Sequence, residues 1–237
     1  MSNDSFILAI SKGAVKWYST YKILPSMTIA QAILESNWGK SGLAKDCHNY
    51  FGMKWTTTCG TQYKEYSTTE HKKDGTPYVI KAKFRKYSTV ADGIKGYYDF
   101  LNYSRYKNLK GVTDFRESCI LIKEDGWATD VSYTTKLSRL IKDNDLWKYD
   151  LQAIYPKPPT GTINQDSNFL PIIWLQHNLN TCLTGVKGFI PLVVDGDYGP
   201  KTRAAVLLYW KQLGWKPGTG WGVGVNTKTA LAARKKK

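Results

Sequence analysis

Residues 31–55 read QAILESNWGKSGLAKDCHNYFGMKW. Glu35 stands in the last turn of an apolar helical run, with Trp38, Gly39 and Gly42 close behind it. A helix C-terminus carries the negative end of the macrodipole and is an unfavourable place for an anion. At about 100° per residue, Glu35 lies beside Gln31 and Trp38 and away from Ile29 and Ile33, so it faces a groove rather than the core. A carboxyl bordered by an indole in such a place is expected to hold its proton more firmly than a free one. That property suits a general acid that protonates a leaving oxygen near neutral pH, as in glycosidases.

Upstream, Phe6, Ile10, Ala14, Trp17 and Tyr21 step by three or four residues and predict one amphipathic helix. Pro25-Ser26 ends it, and Thr28 is read as the cap of the helix that runs to about Asn37. Downstream, residues 64–70 and 78–87 flank an Asp-Gly loop and predict a β-hairpin. In its second strand Tyr78, Ile80, Ala82 and Phe84 share one face, and Lys81, Lys83 and Arg85 the other. Helices are expected at about 89–102, 113–124 and 130–146. The chain to residue 153 therefore reads as α+β, mainly α, with one inserted hairpin.

Residues 154–167 include Pro156-Lys-Pro-Pro and read as a stiff linker. The composition changes across it. Residues 156–237 hold 11 of the chain's 34 basic side chains but only three of its 19 acidic ones, all Asp. With no Glu and a single His, this region is poorly supplied for acid–base chemistry and reads as a binding module. It contains a repeat displaced by 25 residues: Gly199, Thr202, Ala205 and Val206 recur as Gly224, Thr227, Ala230 and Leu231. Each copy sets a glycine turn before a helix start, with Pro200 suited to a first helical position. A third helix, from Phe169 to Asn180, precedes both. Asp195-Gly-Asp197 lacks the remaining ligands of a calcium loop and reads as a turn.

The net charge of +15 makes polyanions plausible partners: nucleic acid, anionic membrane or anionic wall polymers. No nucleic-acid motif accompanies the charge, and no window approaches the roughly 18 apolar residues of a membrane span. Cys47, Cys59, Cys119 and Cys182 form no CxxC and the three histidines are scattered, so neither a metal nor a cofactor is expected. Cys47 and Cys59 either bridge a short loop or stay as free thiols. The only apolar run near the N-terminus, Phe6 to Ile10, is too short for a secretory signal. A cytoplasmically made monomer, released to its target by another component, is the expectation.

Five glutamates exist in the chain, at 35, 65, 70, 117 and 124. Glu117 and Glu124 lie among exposed charges. Glu65 and Glu70 stand five residues apart on one predicted strand, and so on opposite faces if the strand is regular.

ILPSMTIAQAILESNWGKSGLA, HNYFGMK, YSTTEHKKDG, AKFRKYST and DGWATDVSYTTKL, in this order over residues 5–147, resemble the peptidoglycan-cleaving endo-β-N-acetylglucosaminidases of glycoside hydrolase family 73. WLQHNLN, VDGDYGPKTRAAV and GVNTKTAL resemble the three-helix peptidoglycan-binding domain of wall hydrolases. The resemblance implies a lysozyme-like catalytic domain over residues 1–153 with a β-hairpin lobe, and a binding domain over 168–237. It implies Glu35 as general acid, Glu70 as second carboxylate and Tyr133 as a tyrosine that positions substrate or intermediate. Gln31, Trp38, Asn49, Tyr50, Phe51 and Trp127 are expected to line the glycan groove, where rings stack on sugar faces. Tyrosine is usual at Trp127 and proline common at Val131. The expected partner is bacterial cell-wall peptidoglycan, cut at the β-1,4 bond between N-acetylglucosamine and N-acetylmuramic acid. An N-acetylmuramidase, a lytic transglycosylase and a non-catalytic wall-binding protein are the alternatives. The missing secretion signal fits a phage endolysin that a holin-type pore releases.

Overall fold

The computed structural model describes residues 2–71 and 76–234. It divides into two compact units, Met1–Ala153 and Ile154–Lys237. No helix among the described residues is long and apolar enough to cross a membrane, and no disulfide joins any of the four cysteines.

In the first unit, helices α1 (Asn3–Tyr21) and α2 (Pro25–Ser36) pack on one another, α1 also meets α4 (Val90–Phe100), and α2 meets α5 (Phe115–Glu124) and α6 (Tyr133–Asp143). Phe6, Ile10 and Ala14 of α1 are buried, as their spacing requires, against an α2 in which residues 25–33 are all buried. A helix apolar on every side belongs at the centre of a bundle, and α2 carries Glu35 out of that centre at its C-terminal end. Short α3 (Gly42–Cys47) follows. Strands β1 (Gln62–His71) and β2 (Pro77–Lys86) form an antiparallel hairpin in unbroken one-to-one register, from Gln62↔Lys86 to His71↔Pro77. The Asp74-Gly75 turn lies outside the described residues. A 3₁₀ helix (Ser104–Leu109) precedes α5, and α7 (Trp147–Ile154) follows α6.

The N-terminus of α2 departs from the sequence reading. The helix begins at Pro25, so Thr28 lies inside its first turn, where its hydroxyl meets Tyr98 Oη at 3.0 Å. The cap comes from 124 residues away: Asp150 Oδ1 accepts from the Ser26 backbone N–H at 2.7 Å. Asp150 is fully buried, and among the described residues neither its Oδ2 nor Ser26 Oγ has a well-formed hydrogen bond. Burial pushes its carboxyl up to about 7, against the pull of the Ser26 bond. An unfolded Asp titrates near 3.9, so between about pH 4 and 7 the folded state holds a proton that the unfolded state has lost. Stability of this unit should fall as pH rises through that window, by on the order of 4 kcal/mol across it. Asp150→Asn keeps an acceptor for Ser26 and removes the titration. Thermal melts from pH 4 to 8 should show the parent losing stability relative to the variant, and parallel curves would contradict this reading.

In the second unit, α8 (Phe169–Leu183), α9 (Pro200–Gln212) and α10 (Val225–Ala232) surround a core that includes Leu175, Leu179, Val206 and Leu231. The repeat is visible in the backbone: N-cap residues Gly199 and Gly224 have φ/ψ of −89/−171° and −85/−173°. Thr202 and Thr227 are both buried. The former bonds Asp197 O and Gln176, and the latter accepts from Trp210 Nε1. The stretch read as a linker is partly built into this unit. Ile163 is buried and pairs with Val223, and the buried Lys228 Nζ bonds the carbonyls of Pro159 and Gly161. A cleft of about 650 Å³ opens beside the start of α9, lined among others by Ile190, Val193, Asp197, Lys201 and Leu208.

Candidate active site

The turn after α2 explains the Glu35-Ser36-Asn37-Trp38-Gly39 string. Asn37, Trp38 and Gly39 take positive φ in succession (48°, 60° and 71°), folding the chain sharply back. Ser36 Oγ accepts from the Gly39 N–H at 2.8 Å and bonds Ala32 O, which pins the turn to the helix. A Cβ at Gly39 would lie 2.7 Å from the Phe6 ring, so glycine is required by contact as well as by φ. Glu35 is thereby held exposed at the edge of a rigid helix end.

Two side chains from far along the chain close on Glu35. Tyr133 Oη donates to Oε1 at 2.7 Å, and Trp127 Nε1 donates to the same oxygen at 3.1 Å. Oε2 has no hydrogen bond among the described residues. Tyr133 opens α6, after a loop in which Asp130 accepts from Ser132 and pairs with Lys136 at 2.6 Å. Lys136 first, then Ser132, draws the Asp130 carboxyl down to about 2, so this brace is ionised at any working pH. Burial, then the Glu35 charge, raises the Tyr133 phenol well above its ordinary value, so it stays protonated and able to donate.

Trp127 is half-buried among rings: Tyr97 at 5.6 Å, Phe100 at 5.8 Å and Tyr106 at 6.3 Å between centroids. Its turn is held by the 3₁₀ helix, where Arg105 donates to Asp125 O and Asn108 to Asp125 Oδ1. Behind Tyr133 stands Gln31, whose Nε2 donates to Tyr133 Oη at 3.0 Å, and Tyr97 Oη donates in turn to Gln31 Oε1.

Several residues expected in the groove are placed beneath it instead. Gln31 is fully buried, so it touches Tyr133 and not a ligand. Asn49 is 1% exposed and spends its amide on Met53 and Arg85, clasping the 49–53 turn to β2. Tyr50 packs edge-on to Phe6, and Phe51 stacks on Tyr97 at 3.9 Å; both are buried. Trp38 is half-buried in the turn after α2, while the indole that bonds Glu35 is that of Trp127. The indole border expected from Trp38 comes from Trp127, which together with Tyr133 donates to the carboxylate.

Glu70 holds a strand position paired with Tyr78; its side chain lies outside the described residues. By backbone parity it shares a face with Tyr66, whose hydroxyl bonds Asp46 and Gly42 O of α3. Glu65 has the parity of Tyr63, which packs on Trp55 at 4.9 Å beneath Lys83. Sequence reasoning missed Tyr97 altogether, because residues 89–102 read only as a helix.

A helical lobe, a single β-hairpin and a helix-end carboxylate gripped by a tyrosine and an indole define a lysozyme-like glycoside hydrolase domain. The chain belongs to the Glucosaminidase family, whose model, described as mannosyl-glycoprotein endo-beta-N-acetylglucosaminidase, matches residues 11–146. It is similar to exo-glucosaminidase LytG of Bacillus subtilis, with 36% identity over 154 residues, covering 61% of this chain and 52% of LytG. It is also similar to peptidoglycan hydrolase FlgJ of Salmonella typhimurium, with 31% identity over 121 residues, covering 49% of this chain and 38% of FlgJ. The chain thus spans about half or less of the length of these relatives. Among solved structures, the catalytic domain of the autolysin Auto from Listeria monocytogenes superposes with a TM-score of 0.57 at 31% identity, covering 62% of this chain and 87% of that domain.

Proposed function

We propose that the protein is a peptidoglycan hydrolase that cuts the β-1,4 bond between N-acetylglucosamine and N-acetylmuramic acid within glycan strands, with Glu35 as general acid. The observation that carries this reading is the asymmetric grip on Glu35: Tyr133 and Trp127 both donate to Oε1, leaving Oε2 free to deliver a proton. A general acid must reach its leaving oxygen within hydrogen-bond distance, and the exposure of Glu35 at the end of α2 supports that role by leaving it open to a ligand. Tyr133, kept neutral, fixes the carboxyl's orientation while charge develops on it. The half-buried face of Trp127 offers a ring to a sugar. Glu70 serves as the second carboxylate, activating water on the opposite face of the sugar.

The second unit holds the enzyme on the wall. Its basic surplus favours anionic wall polymers, and its cleft, with exposed Ile190 and Val193, offers an apolar contact for the wall. Under this reading the protein acts as an endolysin reaching the wall through a holin-type pore.

Borohydride reduction of a wall digest, followed by mass spectrometry, tests the bond. Reduced N-acetylglucosamine ends on multi-disaccharide fragments are the expected result. Reduced muramic ends would make it a muramidase, anhydro ends a transglycosylase, and release of single sugars from chain ends an exo-enzyme, as LytG is named. An absence of new ends would leave only a wall binder.

A further inference from the structure

Two side chains behind the site never meet solvent: Gln31 and Tyr97 are both fully buried. Their hydrogen bonds run in one direction only. An amide has a donor end and an acceptor end, and which end faces which neighbour is set by those neighbours. Tyr97 Oη donates to Gln31 Oε1, so the amide turns its Nε2 toward Tyr133, 3.0 Å away. Nε2 can only donate. Tyr133 must therefore accept there, and its single proton is left for Glu35 Oε1 at 2.7 Å.

With the amide reversed, Oε1 would face Tyr133 and draw that proton inward, and Glu35 would keep the indole N–H alone. Tyr97 is itself held in place, stacked on Phe51 at 3.9 Å and edge-on to Tyr98 at 5.4 Å. Burial raises its phenol well above the ordinary value, so it keeps the proton that it donates to Gln31 Oε1.

We propose that Tyr97 and Gln31 are positioning residues for Glu35: a one-way series of donors that commits the Tyr133 proton to Oε1 and leaves Oε2 as the reacting oxygen. The proposal rests on the reading of Glu35 as the general acid. It also gives Phe51 a purpose, since the stack on Tyr97 fixes the first donor of the series.

The test uses the full-length protein on soluble glycan fragments. Tyr97→Phe removes one oxygen and keeps the ring. It should lower kcat about ten- to a hundredfold, the value of one bond to a charged group, with KM within about twofold. In a Tyr133→Phe background the same change should have almost no further effect, because the series is already cut. Multiplying losses in the double variant, or a loss carried by KM, would mark Tyr97 as mere core packing and overturn the proposal. A measurement on the unaltered protein stands beside it: the Gln31 Nε2 protons should show nuclear Overhauser contacts to the Tyr133 ring. Contacts to the Tyr97 ring instead would overturn the inference even if no variant folds. Full activity in Glu35→Gln would overturn both this proposal and the reading beneath it. An inactive Glu35→Gln beside a Tyr97→Phe enzyme at the parent rate would overturn the positioning role alone.

Discussion

Glu35→Gln is expected to abolish the clearing of bacterial walls, a loss of at least about 10²- to 10⁴-fold for removing a positioned general acid. The substitution leaves an Oε1 that still accepts from Tyr133 and Trp127, so the helix end and its two donors keep their arrangement. What it removes is the transferable proton, since the amide nitrogen in the other position holds its hydrogens. Glu35 is exposed, so no buried charge is created or lost and folding should be unaffected. Retention on wall preparations, which the proposal assigns to the second unit, should match that of the parent. Turbidity loss on bare walls and co-sedimentation with them separate the two properties. Clearing at the parent rate would remove Glu35 from the chemistry, and joint loss of clearing and retention would point to a folding defect.

The hairpin carries the second large effect. Glu70→Gln should slow clearing by roughly 10²-fold or more, in line with loss of a general base, and Glu65→Gln should change it little. The unbroken register of β1 with β2 puts the two glutamates at positions of opposite parity. Glu70 shares its parity with Tyr66, which reaches Asp46 of α3, so that face of the hairpin meets the helical lobe. Glu65 shares its parity with Tyr63 and lies exposed, paired across the strands with Lys83. If Glu70→Gln keeps the parent rate with folding intact, the second role passes to water or to the substrate's own 2-acetamido group. A large loss in Glu65→Gln would reverse the assignment of faces.

How far the site could be read in advance differs residue by residue. Glu35 was legible because its surroundings are local: the helix, the turn and the glycine that permits it all lie within five residues. The string was also informative for a reason that is structural. Ser36 and Gly39 build the turn that presents the carboxyl, through bonds that any such turn needs. Tyr133 and Trp127 could be located by resemblance, yet their convergence on one carboxylate oxygen depends on contacts spanning 98 and 92 residues.

The same motifs misled over Gln31, Asn49, Tyr50 and Phe51. A motif marks every residue a site requires, and these four are required underneath it, where Asn49 clasps a turn and Phe51 supports Tyr97. Local rules failed outright at the start of α2. Thr28 had the right chemistry for a cap, but a buried carboxyl from α7 took that place. The repeat in the second unit was readable because each copy is a local cap followed by one helix. The role of residues 154–167 was not, since Ile163 and Pro159 are held by partners more than 55 residues away.

A structure of the Glu35→Gln protein with a bound peptidoglycan oligosaccharide addresses the central claim most directly. The account predicts the scissile glycosidic oxygen within about 3.2 Å of the free side-chain atom of residue 35, with Tyr133 and Trp127 still on the other and no sugar contact to Gln31. It also predicts N-acetylglucosamine on the non-reducing side of that oxygen. A glycan whose scissile oxygen lies nearest some other acid, or meets the atom that Tyr133 and Trp127 hold, would contradict it.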